Sequence, residues 1–145
     1  MAIGMKGDFS DFDDVPYHRY LGLTLVEHKT DYARLRMNVG ETTPKGIDGS
    51  VNGGALASMI DMAVLPAVFT GMAEGTLPGG TADLQVTYLR QAKGAWLEAE
   101  AVVLKRGRNL CTVEVSVCND AGVLCSKGRV LYALRAGVAS AGATN

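Results

Sequence analysis

The chain reads as a single α+β domain in which one antiparallel β-sheet wraps around one long central helix. Three observations predict this. Residues 51–72, VNGGALASMIDMAVLPAVFTGM, are apolar almost all the way round, the mark of a helix buried on every side. The segments flanking it alternate apolar and polar residues with a period of two, as half-buried strands do. Turns of hairpin length join many of those segments, which makes the pairing antiparallel.

Composition sets the outer bounds. A length of 145 residues fits one domain, residues 1–145, with residues 1–14 and 136–145 expected as flexible tails. An apolar share of 48% is enough for a core. A net charge of −1 with no basic run or basic–aromatic array argues against a nucleic-acid partner. Cys111, Cys118 and Cys125 fit no zinc spacing, and His18 and His28 lie far upstream, so no metal is expected. Free thiols and the lack of a basic-then-apolar leader make a cytoplasmic location the default expectation. The central helix is too short, and too interrupted by Ser58, Asp61 and Pro66, to predict a membrane span.

The elements follow in order. Residues 15–22 form a short helical turn closed by Gly22. Residues 23–28 and 32–39 form a hairpin, with Ala33, Leu35, Met37 and Val39 on one face and Tyr32, Arg34, Arg36 and Asn38 on the other. Residues 40–50, rich in Gly, Thr, Pro and Asp, are a loop into the helix. Asn52 is its N-cap, a residue whose side-chain oxygen accepts a first-turn amide. Pro66 predicts a local bend. Residues 73–80 are a second loop. Four strands then run as a meander over residues 81–89, 95–105, 110–118 and 123–134. One sheet covers only part of a helix that is apolar all round, so a second copy of the chain is expected to cover much of the rest.

Asp61 is the only charge in the helix, and a carboxylate there is costly unless it is paired, hydrated or used. It reads either as a structural Asp, held by an Arg or by backbone amides, or as a base or nucleophile. Gly53 and Gly54 open the helix, where free N–H groups and a partial positive charge gather. Side chains of zero size there permit either tight packing against a strand or close approach of a ligand carbonyl. The eight residues from Gly53 to Asp61 span about 12 Å at the helical rise. One chain cannot bring both to a single small group, but two antiparallel helices from two protomers can. Ser58 is read as a packing residue without a His partner. Thr81 either starts a strand or holds water. Arg90, Lys105, Arg106 and Arg108 are either solvated turn charges or contacts for an anion.

Three pieces of the chain together resemble the hotdog-fold thioesterases of the phenylacetate-pathway type: VNGGALASMIDMA, TADLQVTYLRQA and LKRGRNLCTVEVSVCNDAGVLCSKGRV. The likeness runs from about residue 17 to residue 134. It implies a homodimer forming a double hotdog, often a dimer of dimers, with active sites between subunits. It implies hydrolysis of acyl-CoA thioesters with no metal and no cofactor beyond the CoA of the substrate. By position, Asp61 matches the catalytic carboxylate, Gly53 the amide that binds the thioester oxygen, and Thr81 a hydroxyl that helps to hold the attacking water. Gly54, Arg90, Arg106 and Arg108 become expected CoA contacts. The family's usual His is Asn52 here, which can cap and hydrogen-bond but cannot act as acid or base. An Asn found six residues earlier in some members is Gly46 here. A hydratase on the same fold, which usually employs that His, and a non-catalytic acyl-CoA-binding protein are the alternatives.

Overall fold

The computed structural model describes residues 8–137. A short helix α1 (Pro16–Leu21) precedes the hairpin β1 (Leu23–Lys29) and β2 (Tyr32–Asn38). The long helix α2 (Gly53–Phe69) follows, then β3 (Thr76–Tyr88), β4 (Trp96–Arg106), β5 (Leu110–Asn119) and β6 (Leu124–Ala136). All six strands form one antiparallel sheet in the order β1-β2-β4-β5-β6-β3, curled around α2. Among the described residues no helix is long and apolar enough to cross a membrane.

The period-two pattern delivers the core. Ala33, Leu35 and Met37 of β2, Leu97, Ala99 and Ala101 of β4, and Val113, Val115 and Val117 of β5 are buried against α2. Small residues set the helix–sheet distance. Ala33 pairs with Ala101, and Gly128 of β6 sits so close to α2 that a Cβ on it would come within 2.7 Å of Ile60 Cγ2. α2 runs through Pro66 without interruption to Phe69. The proline lies in the last turn, where its missing N–H costs one bond near a helix end.

Several expectations need correction. The last four strands are not a meander: β3 crosses to the far edge and pairs with β6, while β4 pairs with β2. Residues 76–80, expected as loop, are the first part of β3, accommodated by a register shift between Pro78 and Gly80. Within 1–14, residues 1–7 lie outside the described residues, but Phe9 and Phe12 are buried and Phe12 opens a 3-10 turn. β6 continues to Ala136, one residue into the expected C-terminal tail, and residues 138–145 lie outside the described residues. In a single chain α2 is not buried on every side. Ala57, Ser58, Asp61, Met62 and Leu65 form a partly exposed flank. α1 reaches this flank, where Tyr17 and Ser58 share a hydrogen bond of 2.6 Å.

The crossing of β3 creates the feature that matters most. The chain leaves β3 at one edge and must return to β4 in the middle of the sheet. It does so as a strap, residues 89–95, across one end of the sheet and past the start of α2. The Leu89 amide bonds to Cys125 of β6, the Lys93 carbonyl accepts from Asn119 at the end of β5, and the Ala95 carbonyl accepts from the Val39 amide. The Val51 amide bonds to Ala92 O at 2.9 Å, joining the strap to the residue before the N-cap.

Candidate active site

Between this strap and the loop leading into α2 lies a cleft of about 450 Å³. Its walls include Gly46, Val51, Asn52, Gly53, Leu56, Tyr88 and Arg90. Gly46 stands beside Asn52, and a Cβ on it would approach Asn52 Cα to 3.3 Å.

The backbone amides at the base of the cleft are nearly all spoken for. Val51 N–H bonds to Ala92 O and Asn52 N–H to Pro44 O, both at 2.9 Å. Asn52 caps the helix as expected: its Oδ1 accepts from Gly54 N–H at 2.8 Å and from Ala55 N–H at 3.2 Å. Leu56 N–H reaches the Asn52 carbonyl at 3.1 Å. Gly53 N–H, alone in this run, has no acceptor among the described residues. Its direction is set by its own peptide plane. The Asn52 carbonyl of that plane points into the helix, so the trans geometry turns the Gly53 N–H outward from the helix start. The macrodipole adds partial positive charge at the same place.

Each glycine of the pair has a separate packing reason. A Cβ on Gly54 would approach Asn52 Oδ1 to 3.0 Å and disturb the cap, whereas one on Gly53 would meet the Tyr88 ring at 3.3 Å. The Tyr88 hydroxyl donates to the Gly53 carbonyl at 2.6 Å. The reading of two glycines as packing residues is therefore satisfied, and the open amide is additional to it.

Asp61 is partly exposed on the uncovered flank of α2 and accepts a hydrogen bond from the Thr81 hydroxyl at 2.6 Å. Among the described residues of one chain it has no ion pair and no other hydrogen-bond donor. Thr81 and Tyr88 are seven residues apart, an odd number that puts side chains on opposite faces of a regular strand. Both nevertheless meet α2. The register shift between Thr81 and Asp83 supplies the missing residue: Thr81 stands opposite Tyr132, Leu84 opposite Val130 and Tyr88 opposite Ser126, all on the helix side of β6.

The structure brings Asn52, Gly53 and Arg90 together in the cleft and Asp61 with Thr81 further along α2, but it does not unite these two groups in one chain. The basic turn is not part of the cleft. Arg106 Nη2 donates to Asp31 Oδ1 at 2.7 Å and to Val68 O at 2.8 Å. It thus ties down the C-terminal end of α2, about 22 Å along the helix from Gly53. Arg108 is exposed on the turn after β4. Arg90 Nη1 reaches Leu124 O at 3.3 Å from the cleft wall. Gly54 is exposed, but its amide is taken by Asn52. Tyr88 was missed by sequence reasoning. The available signal was its place at the end of the alternation Ala82, Leu84, Val86, Tyr88, which puts an aromatic on the helix side of the strand.

An antiparallel sheet curled about one helix, with a cleft at the helix start, is the geometry against which the sequence can be matched. Residues 48–126 match the family model of the thioesterase superfamily. The chain belongs to that superfamily. Its fold is the hotdog fold, and membership places it among hydrolases of thioester and ester bonds. A protein of Halobacterium salinarum, named as a candidate esterase, is 33% identical over 112 residues, covering 75% of this chain and 74% of its own. The zebrafish thioesterase superfamily member 2 superposes with a TM-score of 0.73 at 28% identity, over 88% of this chain and 94% of that one. The PaaI protein of the Escherichia coli phenylacetic acid degradation operon shares the fold, with a TM-score of 0.76 at 20% identity over 90% and 92% of the two chains. So does a hypothetical thioesterase of Streptococcus pneumoniae crystallised with coenzyme A, with a TM-score of 0.74 at 17% identity over 88% and 96%.

Proposed function

We propose that this thioesterase-superfamily protein hydrolyses acyl-CoA thioesters at a site shared by two copies of the chain. The observation that carries the reading is the Gly53 amide, the one N–H in the run opening α2 with no acceptor among the described residues, on a residue that lines a cleft able to admit a carbonyl. Such a donor, aimed before the reaction begins, is worth about 3 kcal/mol to a developing oxyanion. The coenzyme A bound by the pneumococcal neighbour supports CoA as the acyl carrier.

In this reading the thioester oxygen lies on Gly53 N–H of one protomer. Asp61 of the mate takes a proton from water as that water attacks the carbonyl carbon, or attacks the carbon itself to form an anhydride that water then opens. The C–S bond breaks and CoA leaves as thiolate, to be protonated. The Thr81 hydroxyl holds one carboxylate oxygen and leaves the other for chemistry. Asn52 keeps the helix start closed, and Arg90 offers a cation to the CoA phosphates. Arg106, tied to Asp31, is left out of that contact set.

The test is steady-state hydrolysis of an acyl-CoA panel, from phenylacetyl to long-chain, by wild type and Asp61→Ala. The variant is expected to lose about 100- to 10,000-fold in kcat while keeping the wild-type oligomeric state. Wild-type turnover by Asp61→Ala would refute the assignment. Tight binding of CoA esters by a wild type that turns none of them over would favour a binding protein instead.

A further inference from the structure

We infer that Tyr88 is a positioning residue for the Gly53 amide: its phenol, reaching across from β3, holds the glycine pair at the start of α2 in the orientation that keeps the free N–H aimed at the cleft. The inference rests on the hydrolase reading above and adds a residue that the reading does not use.

The grip is visible in the hydrogen bonds. The Gly53–Gly54 peptide plane is held at both ends, its carbonyl by the Tyr88 hydroxyl at 2.6 Å and its N–H by Asn52 Oδ1 at 2.8 Å. The ring lies flush against Gly53, since a Cβ there would meet Tyr88 Cζ at 3.3 Å. Something must hold this place. Two consecutive glycines have more backbone freedom than other residue pairs. The first turn of a helix, moreover, has no intrahelical acceptors for its amides. A donor that must meet developing charge is effective only when its direction is set beforehand. Tyr88 is 52% exposed and lines the cleft, so core packing does not account for it. The pairing of Tyr88 opposite Ser126 puts it on this face, which Thr81 shares because of the bulge between Thr81 and Asp83.

Tyr88→Phe keeps the ring and removes the bond. In the purified full chain, with the acyl-CoA ester that the wild type turns over fastest, kcat is expected to fall about five- to tenfold with KM within about twofold. The Gly54 amide, followed by NMR in deuterated water, is expected to exchange at least about tenfold faster than in wild type. Tyr88→Leu, which also removes a cleft wall, is expected to raise KM in addition. Either kcat or Gly54 exchange remaining at its wild-type value in Tyr88→Phe overturns the inference, whatever happens to thermal stability. If the wild type hydrolyses no acyl-CoA ester, the functional reading fails, and the exchange rate alone decides whether Tyr88 holds the helix start.

Discussion

His18 shows how one buried side chain ties the N-terminal segment to the central helix. It is 1% exposed, bonds through Nδ1 to the Phe12 carbonyl at 2.7 Å, and brings Nε2 to 3.1 Å from the Met62 sulfur on α2. Burial holds its pKa below the ordinary histidine value, against the opposing pull of the Phe12 carbonyl and Asp13. The unfolded chain, with a value of about 6.5, therefore takes up a proton that the folded chain refuses. Stability contributed by neutral His18 is fully present above about pH 6.5 and is lost as pH falls through the folded value. Urea midpoints measured from about pH 7.5 down to 5.5 are expected to fall in wild type and to fall less in His18→Gln. Equal slopes in the two proteins would show that His18 is not the group responsible.

The start of α2 is where an element's own end chemistry meets the site. Asn52 satisfies two of the four orphan amides of the first turn and the Pro44 carbonyl a third, which leaves the Gly53 amide open. Asn52→Ala is expected to cost about 1 kcal/mol in chemical denaturation. Asn52→Asp keeps an oxygen acceptor and is expected to stay within a few tenths of wild type in stability. It places a negative charge beside the Gly53 amide, so its kcat is expected to fall about tenfold through repulsion of the developing oxyanion. An Asn52→Asp protein as active as wild type would separate this residue from the chemistry. The far end of the same helix is held differently, by the Arg106 guanidinium on the Val68 carbonyl, where a cation suits the dipole.

At the scale of the molecule the question is what covers the flank of α2 and the free edge of β3. β3 is 13 residues long and, among the described residues, pairs on one side only, with β6. It carries Leu84, 37% exposed, three residues after the Thr81 that bonds to Asp61. A long edge strand with exposed apolar residues is a template for another chain. A second copy paired there would also supply the mate's Asp61 or Gly53 that the 12 Å helical spacing withholds from one chain. Analytical ultracentrifugation at micromolar concentration is expected to find at least a dimer. Leu84→Glu, which puts a charge at that contact, is expected to weaken the dimer and to lose hydrolysis in parallel. A fully active monomer would remove the need for a shared site.

Much of this architecture is written locally. The all-round apolar run at residues 51–72, the alternation in four of the strands, the Asn52 cap and the turn at Gly22 each depend on neighbours within a few residues, so periodicity and cap chemistry expose them. Asp61, Gly53 and Thr81 were singled out as candidates through spacing and through family resemblance, and the fold joins Asp61 to Thr81. What the tertiary structure alone decided is which edges pair. Alternation reports which face of a strand is buried and is silent about the strand beside it, so the placement of β3 next to β6 was not legible. The strap, the cleft and the meeting of Tyr88 with Gly53 all follow from that placement. The bulge that turns Thr81 and Tyr88 to one face is equally hidden, because a single inserted residue changes the pairing without breaking the apolar pattern. Gly128 and Arg106 show the same division: each is held by a partner far along the chain, Ile60 and Asp31, and long-range partners are chosen by packing in three dimensions.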